Sequence, residues 1–118
     1  MLRELVRIVF VVVLAASAST CHQCAGGVGP RGDLVGGPCD HDRHCADECL
    51  EGPAFPGGTC SVECFGDEDC PDETRCVAYA IGYCLLECDH DSNCRNGYDC
   101  RLWPRFGELG TTEVCIDD

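Results

Sequence analysis

The sequence predicts a small disulfide-rich fold: three tandem four-cysteine modules of short β-hairpins and loops, with little helix apart from an N-terminal leader. Three observations carry that prediction. Fourteen of the 118 residues are cysteine, a density that reads as a disulfide scaffold in a short exported chain. Twelve of those cysteines belong to three four-cysteine units that share one fixed interval, with five residues between Cys39 and Cys45, between Cys64 and Cys70, and between Cys88 and Cys94. The text recurs with the spacing, since Cys-Asp-His-Asp opens at both Cys39 and Cys88. Repeats of this length mean a series of small stapled units, each leaning on its neighbour.

The leader sets the compartment. Arg3 and Arg7 form a basic start, residues 8–16 are continuously apolar, and Ala16-Ser17-Ala18 offers the small-x-small form that signal peptidase accepts. Residues 1–18 are therefore expected to be a cleaved signal peptide. The apolar run falls short of the ~20 residues that cross a bilayer, so no membrane span is expected after processing. The alternative is lipoprotein processing at Cys21, which would leave a lipid anchor there. Export puts the chain in an oxidising setting, secreted or in the cell envelope, where paired cysteines are the rule.

Composition excludes several function classes. A chain this short buries too little apolar surface to fold without staples, and it is not expected to be an enzyme. Eight arginines and no lysine stand against 21 acidic residues, for a net charge of −13. Nucleic-acid binding needs a basic face, so it is not expected either. No nucleophile-elbow or metalloprotease motif occurs, no pair of carboxylates is marked out for acid–base work, and no cofactor is implied.

Residues 19–38 hold Cys21 and Cys24, read as a small terminal disulfide, and then a Gly/Pro-rich stretch from 26 to 38 that reads as a flexible linker. The repeats follow at 39–63, 64–87 and 88–118. Their third cysteines are Cys49, Cys76 and Cys100, and their fourth are Cys60, Cys84 and Cys115. Length varies most before the fourth cysteine, where modules carry their individuality. Residues 77–86 form the best strand candidate, with Val77, Tyr79, Ile81, Tyr83 and Leu85 on one side and Gly82 as a bend. Gly57-Gly58 and Asn96-Gly97 are turn signals. Spacing alone leaves three connectivities open in each four-cysteine unit.

The run from Cys60 to Cys76, with its five-and-five spacing and Asp69 and Pro71 flanking the middle cysteine, resembles the centre of the four-disulfide-core (WAP) domain. It is also similar to the N-terminal cysteine-rich repeat of the Dickkopf signalling antagonists and to cysteine-rich repeats in predicted exported bacterial proteins. The four-disulfide-core family has an adjacent Cys-Cys pair that this chain lacks. The resemblance implies Cys64–Cys76 and Cys70–Cys84. The same order in the other units gives Cys39–Cys49, Cys45–Cys60, Cys88–Cys100 and Cys94–Cys115.

Other residue groups are candidates for chemistry. His41, His44, Cys45 and Cys49 have zinc-like spacing, but cysteines consumed in disulfides cannot ligate. Asp40 and Asp42, Asp67 and Asp69, and Asp89 and Asp91 recur near each module's start, as weak calcium candidates or as turn-forming, solubilising charge. Arg31-Gly32-Asp33 spells an integrin-type tripeptide in the expected flexible stretch. The functional expectation is a secreted or surface-exposed binding or structural module whose partner is another extracellular protein or surface. One alternative is a serine-protease inhibitor of the four-disulfide-core kind, presenting the loop at 50–59 or 101–114. The other is a lipid-anchored cell-surface protein.

Overall fold

A computed structural model of the chain describes residues 27–117. The expected signal peptide and cleavage site, together with Cys21 and Cys24, lie outside the described residues. Each module opens with a one-turn 3-10 helix, at Asp42–His44, Asp67–Asp69 and Asp91–Asn93. Each then forms one antiparallel hairpin: β1 (Glu48–Leu50) with β2 (Thr59–Ser61), β3 (Thr74–Val77) with β4 (Tyr83–Leu86), and β5 (Asp99–Pro104) with β6 (Thr111–Ile116). Among the described residues there is no α-helix, and no helix is long and apolar enough to cross a membrane.

Register explains how two bridges hold each unit. The third and fourth cysteines face each other across their hairpin, Cys49 opposite Cys60, Cys76 opposite Cys84 and Cys100 opposite Cys115. They are not bonded to one another. The third cysteine reaches the first and the fourth reaches the second, giving Cys39–Cys49, Cys45–Cys60, Cys64–Cys76, Cys70–Cys84, Cys88–Cys100 and Cys94–Cys115. Every hairpin is thus stapled through both strands to its own 3-10 turn. The closed loops span separations of 10 to 21 residues, and loop entropy makes each bridge worth about 3 kcal/mol.

Two expectations about local structure are corrected. Residues 77–86 are not one strand but the last residue of β3, a turn, and the whole of β4. Ala80 and Gly82 take φ of 51° and 104°, and Gly82 N–H donates to the Tyr79 carbonyl. Ile81 consequently points outward, 56% exposed. The second correction concerns residues 26–38, of which 27–38 are described and are folded rather than a flexible linker. Val35 is fully buried against Cys64, Cys76 and Cys84. Gly36 N–H donates to the Cys60 carbonyl and Cys60 N–H to the Gly37 carbonyl, which lays this segment beside β2. The glycines serve close approach rather than flexibility. A Cβ on Gly36 would meet the Gly29 oxygen at 2.3 Å and the Leu86 side chain at 2.7 Å, and one on Gly32 would meet the Gly27 oxygen at 2.2 Å.

The modules share one core. Leu50 and Phe55 from the first module, Val77, Tyr83 and Leu85 from the second, and Tyr98, Val114 and Ile116 from the third pack into a single buried cluster. Polar contacts join every pair of modules. Ser61 Oγ donates to the Cys84 carbonyl at 2.6 Å, and Ala78 N–H to the Pro104 carbonyl at 2.8 Å. Asp117 N–H donates to the Ala54 carbonyl at 2.9 Å, so the third module closes back on the first. The expected series of neighbours is instead a closed arrangement of three.

Candidate functional site

The acidic openings come first, because the sequence singles them out. In each module the aspartate three residues after the first cysteine accepts a hydrogen bond from the third cysteine's N–H: Asp42 from Cys49 at 3.0 Å, Asp67 from Cys76 at 2.9 Å, and Asp91 from Cys100 at 2.8 Å. A second bond repeats as well. The side chain just before the second cysteine accepts from the N–H just after the first, as His44 from Asp40, Asp69 from Phe65 and Asn93 from Asp89. Histidine, aspartate and asparagine share this place because each offers an acceptor at the required reach. These side chains satisfy main-chain donors that a 3-10 turn and a strand end would otherwise leave open.

That work accounts for Asp42, Asp67, Asp69 and Asp91, while Asp40 and Asp89 are exposed at the same place in the first and third modules. Among the described residues, the groups of three or more candidate ligand atoms within 4.8 Å of one another are cysteine sulfurs, and those sulfurs are in disulfides. Calcium is accordingly expected to raise the melting temperature no more than magnesium at equal ionic strength, both acting by screening. A saturable, calcium-specific shift in a thermal melt would contradict this. At the zinc-like group, His41 and His44 stack with ring centroids 3.9 Å apart. His44 Nδ1 is already an acceptor, and Cys45 and Cys49 are bridged.

Asp67 carries more than its siblings. Arg105 from the third module pairs with its carboxylate, and Arg75 lies 3.6 Å away. Burial by itself would raise this carboxyl. The Cys76 N–H bond and the two arginines outweigh burial and hold it below its ordinary value of 3.8. A depressed carboxyl contributes stability that is complete above its unfolded value and is lost as pH falls through the folded value. Asp67→Ala is therefore expected to cost about 2 kcal/mol at neutral pH, the scale of charge-assisted hydrogen bonds. The gap between wild type and variant should narrow below pH ~4. Denaturant melts at pH 7 and pH 3 check both points.

Two arrangements carry no strong sequence signal. Arg95 points away from solvent and donates to the carbonyls of Gly36 (3.3 Å), Pro56 (3.1 Å) and Gly58, and to Tyr98 Oη at 2.7 Å. Its guanidinium lies 4.5 Å from the Tyr98 ring centroid. One arginine thereby ties the third module to the first and to the folded 27–38 segment, using the multiple donors of its planar fork. Tyr83 Oη donates to Glu48 at 2.8 Å across the first and second modules. Burial first, and Glu48 second, push its phenol up to about 12, so it stays a donor at neutral pH.

The remaining candidates fall as follows. Arg31 and Asp33 are exposed but Gly32 is buried. Asp33 accepts from Gly27 N–H through its carboxylate and from Ala46 N–H through its carbonyl. The tripeptide thus sits in an ordered turn, not the flexible stretch expected. The 50–59 loop is not a presenting loop, because Phe55 at its centre is 1% exposed and part of the shared core. The other inhibitor-type loop does protrude. Between β5 and β6, residues 105–110 are closed by an Arg105 N–H bond to the Gly110 carbonyl, and Leu109 is 97% exposed.

No protein-family model, curated protein or solved structure matches this chain. The resemblance noted from the sequence rests on cysteine spacing and a few flanking residues alone.

Proposed function

We propose that the protein acts outside the cytoplasm as a disulfide-stapled binding module with no catalytic role of its own. One observation carries this reading: among the described residues, six bridges and one small shared core hold three hairpins and their 3-10 turns in fixed relation. Such a framework needs an oxidising compartment to form. It supplies rigid loops, the usual carriers of recognition on a small scaffold. Protein mapping under non-reducing conditions tests the reading. The exported protein is expected to hold no free thiol, or at most one if Cys21 is lipidated. Finding four or more thiols by titration in denaturant would remove the framework, and the mass of the mature N-terminus decides between free and lipid-anchored forms.

A second reading, the serine-protease inhibitor, is favoured by the 105–110 loop. It is anchored at both ends and offers Leu109 to solvent. Incubation with a panel of serine proteases separates the readings, since a pure binding module leaves their rates unchanged.

A further inference from the structure

The second module departs from its siblings at one exposed place, and the departure is apolar. The residue after the opening cysteine is Asp40 in the first module and Asp89 in the third, but Phe65 in the second. All three hold the same backbone position, each donating its N–H to the side chain before the second cysteine. The local fold therefore accepts a solvated aspartate there. Phe65 is nevertheless 79% exposed, so burial does not explain it.

Two other loops bring apolar residues to the same end of the molecule. Gly107, in the loop between β5 and β6, approaches so closely that a Cβ on it would meet the Phe65 oxygen at 2.2 Å. The neighbouring Phe106 ring lies against Gly82, 3.0 Å from where a Cβ would stand. Beside Gly82 is Ile81, 56% exposed, and further along the 105–110 loop is Leu109, 97% exposed. Contiguous apolar surface marks an interaction site where singly scattered residues do not, and the close approaches at Gly82 and Gly107 bring these segments together around the half-buried Phe106.

The rim is acidic. Asp69 binds the Phe65 N–H at 2.8 Å, Glu68 lies over Gly66, and Glu63 is exposed just before Cys64. Glu108 is held by Arg105, which also pairs with Asp67. We propose that Phe65, Ile81, Phe106 and Leu109 form the docking surface for a partner protein that is apolar at its centre and basic around it. The proposal rests on the binding-module reading and names that module's partner chemistry. Charge selects this occupant. A second copy would bring the same acidic rim on a chain of net charge −13, and anionic lipid headgroups would be repelled likewise. A basic rim is complementary and speeds association at low salt.

The test titrates the intact, oxidised, 15N-labelled protein with a synthetic amphipathic helix of leucine and lysine, and in parallel with one of leucine and glutamate. Amide shifts are expected only with the lysine peptide, centred on residues 65–66, 81–82 and 106–109. Phe65→Asp restores the residue of the sibling modules and is expected to weaken binding at least tenfold with the rest of the spectrum intact. Leu109→Ser, at a nearly fully exposed side chain, is a second variant whose folding is not at stake. Shifts gathered instead at Asp40 and Asp89, or unchanged affinity in both variants, would overturn the assignment. So would self-association in sedimentation, or binding to phosphatidylserine vesicles. Each of those results leaves the stapled module standing, whereas free thiols and loss of the dispersed spectrum would remove the module itself.

Discussion

Replacing Cys70 with serine is expected to stop folded protein accumulating at 37 °C. Its bridge to Cys84 is one of two disulfides that tie the second module's 3-10 turn to its hairpin. Removing such a bridge from a small exported domain costs about 2–5 kcal/mol, against a typical total of about 5–15. The damage also spreads chemically. Cys84 is fully buried at the junction with the first module, and a thiol freed there lies opposite the Cys64–Cys76 bridge. A free thiolate near a disulfide can exchange with it, so mispaired forms are expected as well. Non-reducing electrophoresis and limited proteolysis of exported material make the check. Normal export with full protease resistance would mean that the apolar core contributes far more than its size suggests.

Phe55→Ala is expected to lower the stability of the whole molecule by about 3–5 kcal/mol, the usual cost of emptying a buried aromatic site. Phe55 belongs to the first module's loop, yet it meets Tyr79 of the second edge-on, with centroids 4.8 Å apart and planes at 81°. It sits in the cluster that also holds Val114 and Ile116 of the third. Independent modules would melt separately, and only the first would move. A shared core makes one cooperative transition, with calorimetric and van't Hoff enthalpies equal before and after the substitution. Two resolved transitions, one of them unshifted, would refute the sharing.

These residues also show how far the sequence could be read. The fixed Cys-x5-Cys interval announces the modules because a 3-10 turn plus its flanks has one length, while most of the length variation falls in the hairpin loops before the fourth cysteine. Glycine is ambiguous by nature. Gly32 and Gly36 look like flexible linker in the text, and only the carbonyls crowding them reveal close packing. In 77–86, an apolar alternation conceals a turn because Ala80 adopts a left-handed conformation that its residue type does not advertise. The recurrent aspartates were visible, but their partners were not. Asp42, Asp67 and Asp91 reach main-chain donors seven to nine residues away, and no local pattern encodes that. Arg95 is the plainest case, since its acceptors are backbone carbonyls up to 59 residues distant. By contrast, the Asp–Phe–Asp difference at positions 40, 65 and 89 becomes legible as soon as the three modules are aligned with one another.

The contact between the last strand and the first module bears on copy number. An open stack of repeats leaves a sticky face at each end, and duplication can lengthen it indefinitely. Here Asp117 N–H reaches Ala54 and Arg95 grasps the carbonyls of Pro56 and Gly58, so the surface that a fourth unit would need is already occupied by the third. Internal duplication of one more module would leave it without a seat, or force it to evict a sibling. The architecture counts to three, and growth beyond that number requires a separate domain rather than a longer array.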